Sequence, residues 1–182
     1  IGAVVMMRSF VGVWVTDPGF DARSTLTFEV TLSADPGQEI PYEFFPLLLE
    51  EVRTLPGVES ATISTHLPFT HYSVGRTIVV GDQSPESPTR VNARWVADGF
   101  VETMGIRLLA GRDFTVADGP SSEPVLLVNE AFVERFFPGR SPPQVIGESV
   151  GSFEYDRDAG QSFLVQHRIL GVLANVKSQQ LY

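Results

Sequence analysis

Between Ser24 and Ser33 apolar and polar residues alternate, with Leu26, Phe28, Val30 and Leu32 on one face and Thr25, Thr27, Glu29 and Thr31 on the other. A period of two is the pattern of a half-buried strand. Ala34-Asp35-Pro36-Gly37 then breaks it. From Tyr42 to Thr54 the period changes: Phe45, Leu48, Leu49 and Val52 fall at i, i+3, i+4 and i+7, with Glu43, Glu50, Glu51 and Arg53 opposite. This predicts an amphipathic helix. Pro46 requires the helix to start near it or to kink there, because proline costs ~3 kcal/mol in a helix interior. Pro56-Gly57 ends the helix, and Val58 to Thr65 reads as a second strand, completing a β-α-β unit.

A β-rich stretch punctuated by Pro and Gly follows. Val74 to Val80 reads as a strand, Gly81 to Pro88 as a loop, and Arg90 to Ala97 alternates again with Val91, Ala93, Trp95 and Ala97 facing one way. Asp98 is placed to N-cap a short helix through Met104, with Gly105 as its stop. A short strand over Ile106 to Ala110 precedes a polar loop to Glu123. In the last third, Val125 to Val128 reads as a buried strand, and Asn129 caps a helix to Phe137 that Pro138-Gly139 terminates. Ile146 to Phe153 and Phe163 to Val176 are further strands, separated by an acidic loop, Glu154 to Gly160. A β-α-β unit, a β-rich insert and a second β-α-β unit therefore follow one another, which predicts an α+β fold.

The leading fifteen residues, IGAVVMMRSFVGVWV, are apolar apart from Arg8 and Ser9. Arg8 sits inside the run, unlike the charge of a signal peptide, which precedes it. The run is shorter than the ~20 residues that span a bilayer. It reads either as a core helix with one exposed Arg or as the trailing end of a transmembrane helix with Trp14 at the interface.

Composition narrows the function classes. With 22 Asp+Glu against 13 Lys+Arg the formal charge is −9, the opposite of the basic stripe that neutralises nucleic-acid phosphates. There is no Cys, which removes disulfides, thiol chemistry and Cys-ligated metal centres. The only Lys is Lys177, so a phosphate-cradling P-loop is excluded, and no G-x-G-x-x-G, G-x-S-x-G or H-E-x-x-H occurs. His66 and His71 flank a loop and are better read as polar loop residues than as half of a metal site. His167 lies in an alternating strand. Glu154, Asp156 and Asp158 begin like a calcium loop, but Ala159 and Val165 stand where its Gly and Glu belong. Arg112, between Asp113 and Asp118, reads as an ion-paired turn rather than an acid/base site, since neither a nucleophile nor a histidine accompanies it. No catalytic, cofactor-binding or metal-ligating residue is expected, and the chain is not expected to be an enzyme. The one candidate for partner contact is the insert strand, where Arg90 and Arg94 share a face opposite Trp95; a solvated strand face is its plain alternative.

Ten short phrases, in order, carry a family resemblance. They are Arg8-Ser9-Phe10, Asp17-Pro18-Gly19-Phe20-Asp21, Leu55-Pro56-Gly57-Val58-Glu59, Leu67-Pro68, Gly99-Phe100 with Met104-Gly105-Ile106, and Leu109-Ala110-Gly111-Arg112-Asp113-Phe114. Val128-Asn129-Glu130, Phe136-Phe137-Pro138, Ile146-Gly147 and Ile169-Leu170-Gly171-Val172 complete them. The series resembles the periplasmic core domain of MacB/FtsX-type ABC transporter permeases. That resemblance implies a porter-like subdomain of two β-α-β units, residues 17–67 and 123–182, with an inserted smaller subdomain at 68–122. Residues 1–16 would then be the end of a transmembrane helix or its linker. It further implies a non-catalytic periplasmic domain of a membrane protein that transmits conformational change during export. An ABC ATPase subunit would act through the parent permease, with a second permease copy and periplasmic proteins as partners. No cofactor and no nucleic acid are implied, and the membrane would be met only through flanking helices outside this chain. The alternative is a periplasmic ligand-binding or sensor module uncoupled from transport, which a large apolar pocket with converging polar groups would favour. A small hydrolase would instead need a cluster of strongly perturbed titratable groups in a cleft.

Overall fold

A computed structural model describes residues 18–31, 44–67, 74–81, 88–156 and 159–176. Its elements in chain order are α1 (Phe44–Arg53), β1 (Val74–Val80), β2 (Thr89–Ala93), α2 (Phe100–Thr103), β3 (Leu108–Gly111), β4 (Val125–Asn129), α3 (Glu130–Phe136), a 3-10 turn (Pro142–Val145), β5 (Ser149–Asp156) and β6 (Gln161–Leu173). The fold is mixed α/β, built on one largely antiparallel sheet. Its strands run in the order β2-β1-β5-β6-β3, and β4 pairs with β6 in parallel.

The thirteen-residue β6 is the axis of the molecule. Its first half pairs with β5 from Gln161↔Asp156 to Arg168↔Ser149. Its second half lies between β4, which pairs from Arg168 onward, and β3, which takes Gly171 to Leu173. The register against β4 skips Leu170: Leu126 faces Ile169 and Leu127 faces Gly171. This bulge reverses the side-chain alternation, because one extra residue moves every later side chain to the other face. Ile169 and Val172 therefore both enter the main core, although they are three residues apart. There they join Ile78, Val80, Val128, Val150 and the α3-side residues Val133, Phe137 and Val145. Leu173 faces the other way, into a second cluster with Phe100, Val101, Met104 and Ile106 around α2. The sheet is thus covered by α3 on one face and α2 on the other at this end. Gly171 has no space for a side chain: a Cβ would stand 2.7 Å from the Arg112 carbonyl oxygen and 2.9 Å from Leu127 Cδ2.

The helix ends are set locally. Asn129 has extended backbone and its Oδ1 accepts from the Phe132 N–H at 3.0 Å, as an N-cap should. Pro46 lies in the first turn of α1, where its missing N–H is not needed.

Several expectations need correction. Residues 24–31 form no strand, and Leu26, Phe28 and Val30 are 88%, 66% and 42% exposed. The alternation is present but no strand of the described residues covers it; Leu32 and Ser33 lie outside them. The Val58–Thr65 strand reduces to a bridge, Ser64↔Val96, flanked by Thr65 N–H donating to the Trp95 carbonyl and Ala97 N–H to that of Ile63. The first β-α-β unit is consequently not closed among the described residues. Asp98 does not cap α2: Gly99, left-handed at φ 73, occupies the N-cap, and Asp113 Oδ2 accepts the Val101 N–H at 2.9 Å. Asp98 is drawn off by Arg53, 2.9 Å away. Glu154 to Asp156 are not loop but the end of β5. The apolar run 1–15, the segment 1–16 it belongs to and His71 lie outside the described residues. Among the described residues no helix is long and apolar enough to cross a membrane.

Candidate partner-contact surface

The β1–β2 ladder pairs Thr77 with Arg90, Arg76 with Val91 and Gly75 with Asn92. Directly opposed residues share a face, so Arg90 and Asn92 lie with Gly75 and Thr77, while Val91 and Ala93 lie with Val74 and Arg76. Arg90 extends across Gly75, where a side chain would collide with its guanidinium. Arg94 follows past the end of β2. It is half-buried, and burial lowers its pKa from the usual arginine value.

Trp95 projects from the opposite side and is half-exposed. The Arg76 guanidinium stacks 4.5 Å from its ring centroid and also donates to Glu154 Oε2 at 2.8 Å and to the Phe153 carbonyl at 3.2 Å. A guanidinium over an indole face is attracted by the ring quadrupole, and the carboxylate fixes its plane. The Trp95 backbone is tied to Thr65 through both its N–H and its carbonyl. The β1–β2 register and the Arg76 contact thus set Trp95 on the face opposite Arg90. The structure also joins Trp95 to Arg76, which the sequence does not single out, and through it to Glu154, which the sequence offers only as the start of an acidic loop. The signal for Arg76 is its place on the Val74, Ile78, Val80 face of β1; the sequence carries none for Glu154 as a strand residue.

An open cleft of about 800 Å³ lies between α1, α2 and the loop after β3, lined by Arg53, Asp98, Glu102, Asp113, Phe114 and Val116 among others. Arg53, Asp98 and Asp113 in it are already engaged. Arg53 donates to the Ala61 and Asp98 carbonyls, and the two Asp113 oxygens accept from Val101 and Phe114 N–H. Nearby, Arg112 grips Asp118 through both terminal nitrogens at 2.6 and 2.8 Å, with Thr115 completing the turn. These bonds hold the Asp118 carboxyl well below the usual carboxylate range. The turn is a closed ion pair, so its carboxylate is not poised to exchange a proton at neutral pH. His66 contacts Thr65 Oγ1 at 3.0 Å, and His167 Nδ1 lies 3.3 Å from the Val165 carbonyl. Among the described residues no group of three His, Asp or Glu is placed to hold a metal ion.

Comparison with known proteins decides what kind of domain this is. The family model described as the MacB-like periplasmic core domain matches residues 1–181. The chain belongs to that family. No curated protein matches the chain. Similar solved structures include the periplasmic region of MacB from Actinobacillus actinomycetemcomitans, at 19% identity and TM-score 0.48 over 70% of this chain and 49% of that one. A second is the extracellular domain of the noncanonic ABC-type transporter YknZ from Gram-positive bacteria, at 19% identity and TM-score 0.46 over 74% and 59%. A third is a domain of a permease protein from Porphyromonas gingivalis, at 16% identity and TM-score 0.45 over 76% and 52%. The chain thus spans about half the length of these structures. MacB-like periplasmic core domains are periplasmic or extracellular parts of ABC transporter permeases.

Proposed function

We propose that this MacB-like domain is a non-catalytic lever of an ABC transporter permease, held outside the cytoplasmic membrane and moved when the cytoplasmic ATPase subunits close. The observation that carries the reading is the family match over residues 1–181. The architecture supports it: a lever must transmit displacement without absorbing it, and β6 joins β3, β4 and β5 in one hydrogen-bonded unit packed on both faces. Packed interfaces of this kind move as bodies rather than deform. On this reading residues 68–122 are an insert between the porter-like segments 17–67 and 123–182, with its β1, β2 and β3 built into the sheet of β5 and β6. The insert presents Arg90, Arg94 and Trp95 to periplasmic partner proteins or substrate.

Spin labels in the parent permease test this. An intradomain pair at Glu134→Cys and Tyr155→Cys should keep its distance between nucleotide-free and ATP-bound states. A single label at Glu134→Cys should change its distance to the second permease copy. A changed intradomain distance, or no change in either, contradicts the lever.

The sensor alternative would use the cleft, where Arg53 and Asp113 already bond within the fold.

A further inference from the structure

The two halves of β6 differ in their edges. From Arg168 onward it is paired on both sides, whereas from Gln161 to His167 it pairs with β5 only. Backbone direction along this half follows from its neighbours. Ile169 exchanges hydrogen bonds with Gly147 and Glu148 on the β5 side, while the Arg168 N–H points the other way, to the Pro124 carbonyl. Alternation then directs the N–H and C=O of Ser162, Leu164 and Gln166 outward to an edge that no described strand occupies.

Natural sheets guard such edges with charge, proline, bulges or short strands. The β2 edge carries Arg90 next to Pro88, and β3 is only four residues long. Gln161-Ser162-Phe163-Leu164-Val165-Gln166-His167 has neither a charged residue nor a proline. Two of its three apolar residues are exposed, one on each face: Phe163 at 49% and Leu164 at 38%.

We infer that this edge is a docking strand for a second copy of the chain, paired antiparallel about a two-fold axis through Leu164. The segment is complementary to itself in that register. Ser162 of one copy meets Gln166 of the other, Leu164 meets Leu164, and all the outward backbone groups pair, giving about six hydrogen bonds. Moving the axis to Phe163 or Val165 leaves one outward residue unmatched. On one face Phe163 packs on Val165 and Gln161 meets His167; on the other, Leu164 packs on itself. No like charges meet. The length also fits, since the chain turns away at Ala159–Gly160 just where β4 of the other copy begins at Pro124 and Val125. A strand pair buries less than the roughly 1,600 Å² of a standard interface, so the dimer forms in a concentration-dependent way. Tethering both copies in one membrane would raise their effective concentration. The inference rests on strand geometry and does not depend on the transport reading.

The absence of native cysteine makes the register testable in the 182-residue chain. Residue 164 faces its own mate at about 5.5 Å between Cα atoms, within disulfide reach. Residues 162 of the two copies lie four positions apart along the strand and cannot meet. Leu164→Cys should therefore form a covalent dimer on mild oxidation and Ser162→Cys should not, while Ser162→Cys mixed with Gln166→Cys should cross-link. Leu164→Lys, at an exposed position, should keep the native circular dichroism and raise the dimer dissociation constant in sedimentation about tenfold or more. Equal cross-linking at 162 and 164, a wild-type chain monomeric at every concentration, or a dimer unaffected by Leu164→Lys would each overturn the inference.

Discussion

Asn129 and Asp98 show what a single residue can disclose. Both are good capping residues followed by a helical stretch, yet only Asn129 caps. Asp98 is taken by Arg53, forty-five positions away in sequence, and Asp113 arrives from beyond β3 to bind the α2 N–H it leaves free. Local rules hold where no distant partner competes. Asn129→Ala should cost about 1 kcal/mol in denaturant unfolding, whereas Asp98→Ala should leave the α2 cap intact and Asp113→Ala should not. Asp118 gives a pH signature. Its carboxyl is lowered by Arg112 and by the Thr115 N–H and hydroxyl. A folded pKa below the unfolded ~3.9 gives stability that is present above that value and lost as pH falls through the folded pKa. Wild type should therefore exceed Asp118→Asn in melting temperature at neutral pH, with the gap closing below roughly pH 4. A gap independent of pH would contradict the assignment.

At the scale of elements, periodicity located what packs and failed where pairing is decided at long range. The β1, β4 and α3 positions, and most of β6, were legible because their apolar residues fall on one face that is buried in the main core, whichever distant elements complete it. The bulge at Leu170 was not legible: an unbroken alternation puts Val172 opposite Ile169, and only the competing demands of β3 and β4 move it into the same core. Nor could sequence tell that Leu26, Phe28 and Val30 would lie uncovered, since the pattern specifies a face and not its cover. In hydrogen exchange the amides of Ile169 to Leu173 should be the slowest and those of Thr25 to Thr31 among the fastest. Gly171→Ala should destabilise by on the order of 1–3 kcal/mol, because its Cβ meets backbone on one side and Leu127 on the other. A neutral Gly171→Ala would mean that β3 and β4 do not clasp β6 as described.

For the whole molecule, the order of short phrases was more informative than any one residue. They are turn and cap punctuation such as Pro56-Gly57 and Asn129, which is why they specify a family and yield no reactive group. The Trp95–Arg76–Glu154 contact was half legible: alternation placed Trp95 opposite Arg90 and Arg94, but the partner on β5 required the β1–β5 register. The central claim is that this sheet works outside the cytoplasmic membrane as part of a permease. It is tested most directly by a single Glu134→Cys in the parent protein, on the exposed side of α3, treated in intact spheroplasts with a membrane-impermeant maleimide. Labelling without lysis is the predicted result. Labelling only after lysis would place the domain in the cytoplasm and contradict the account.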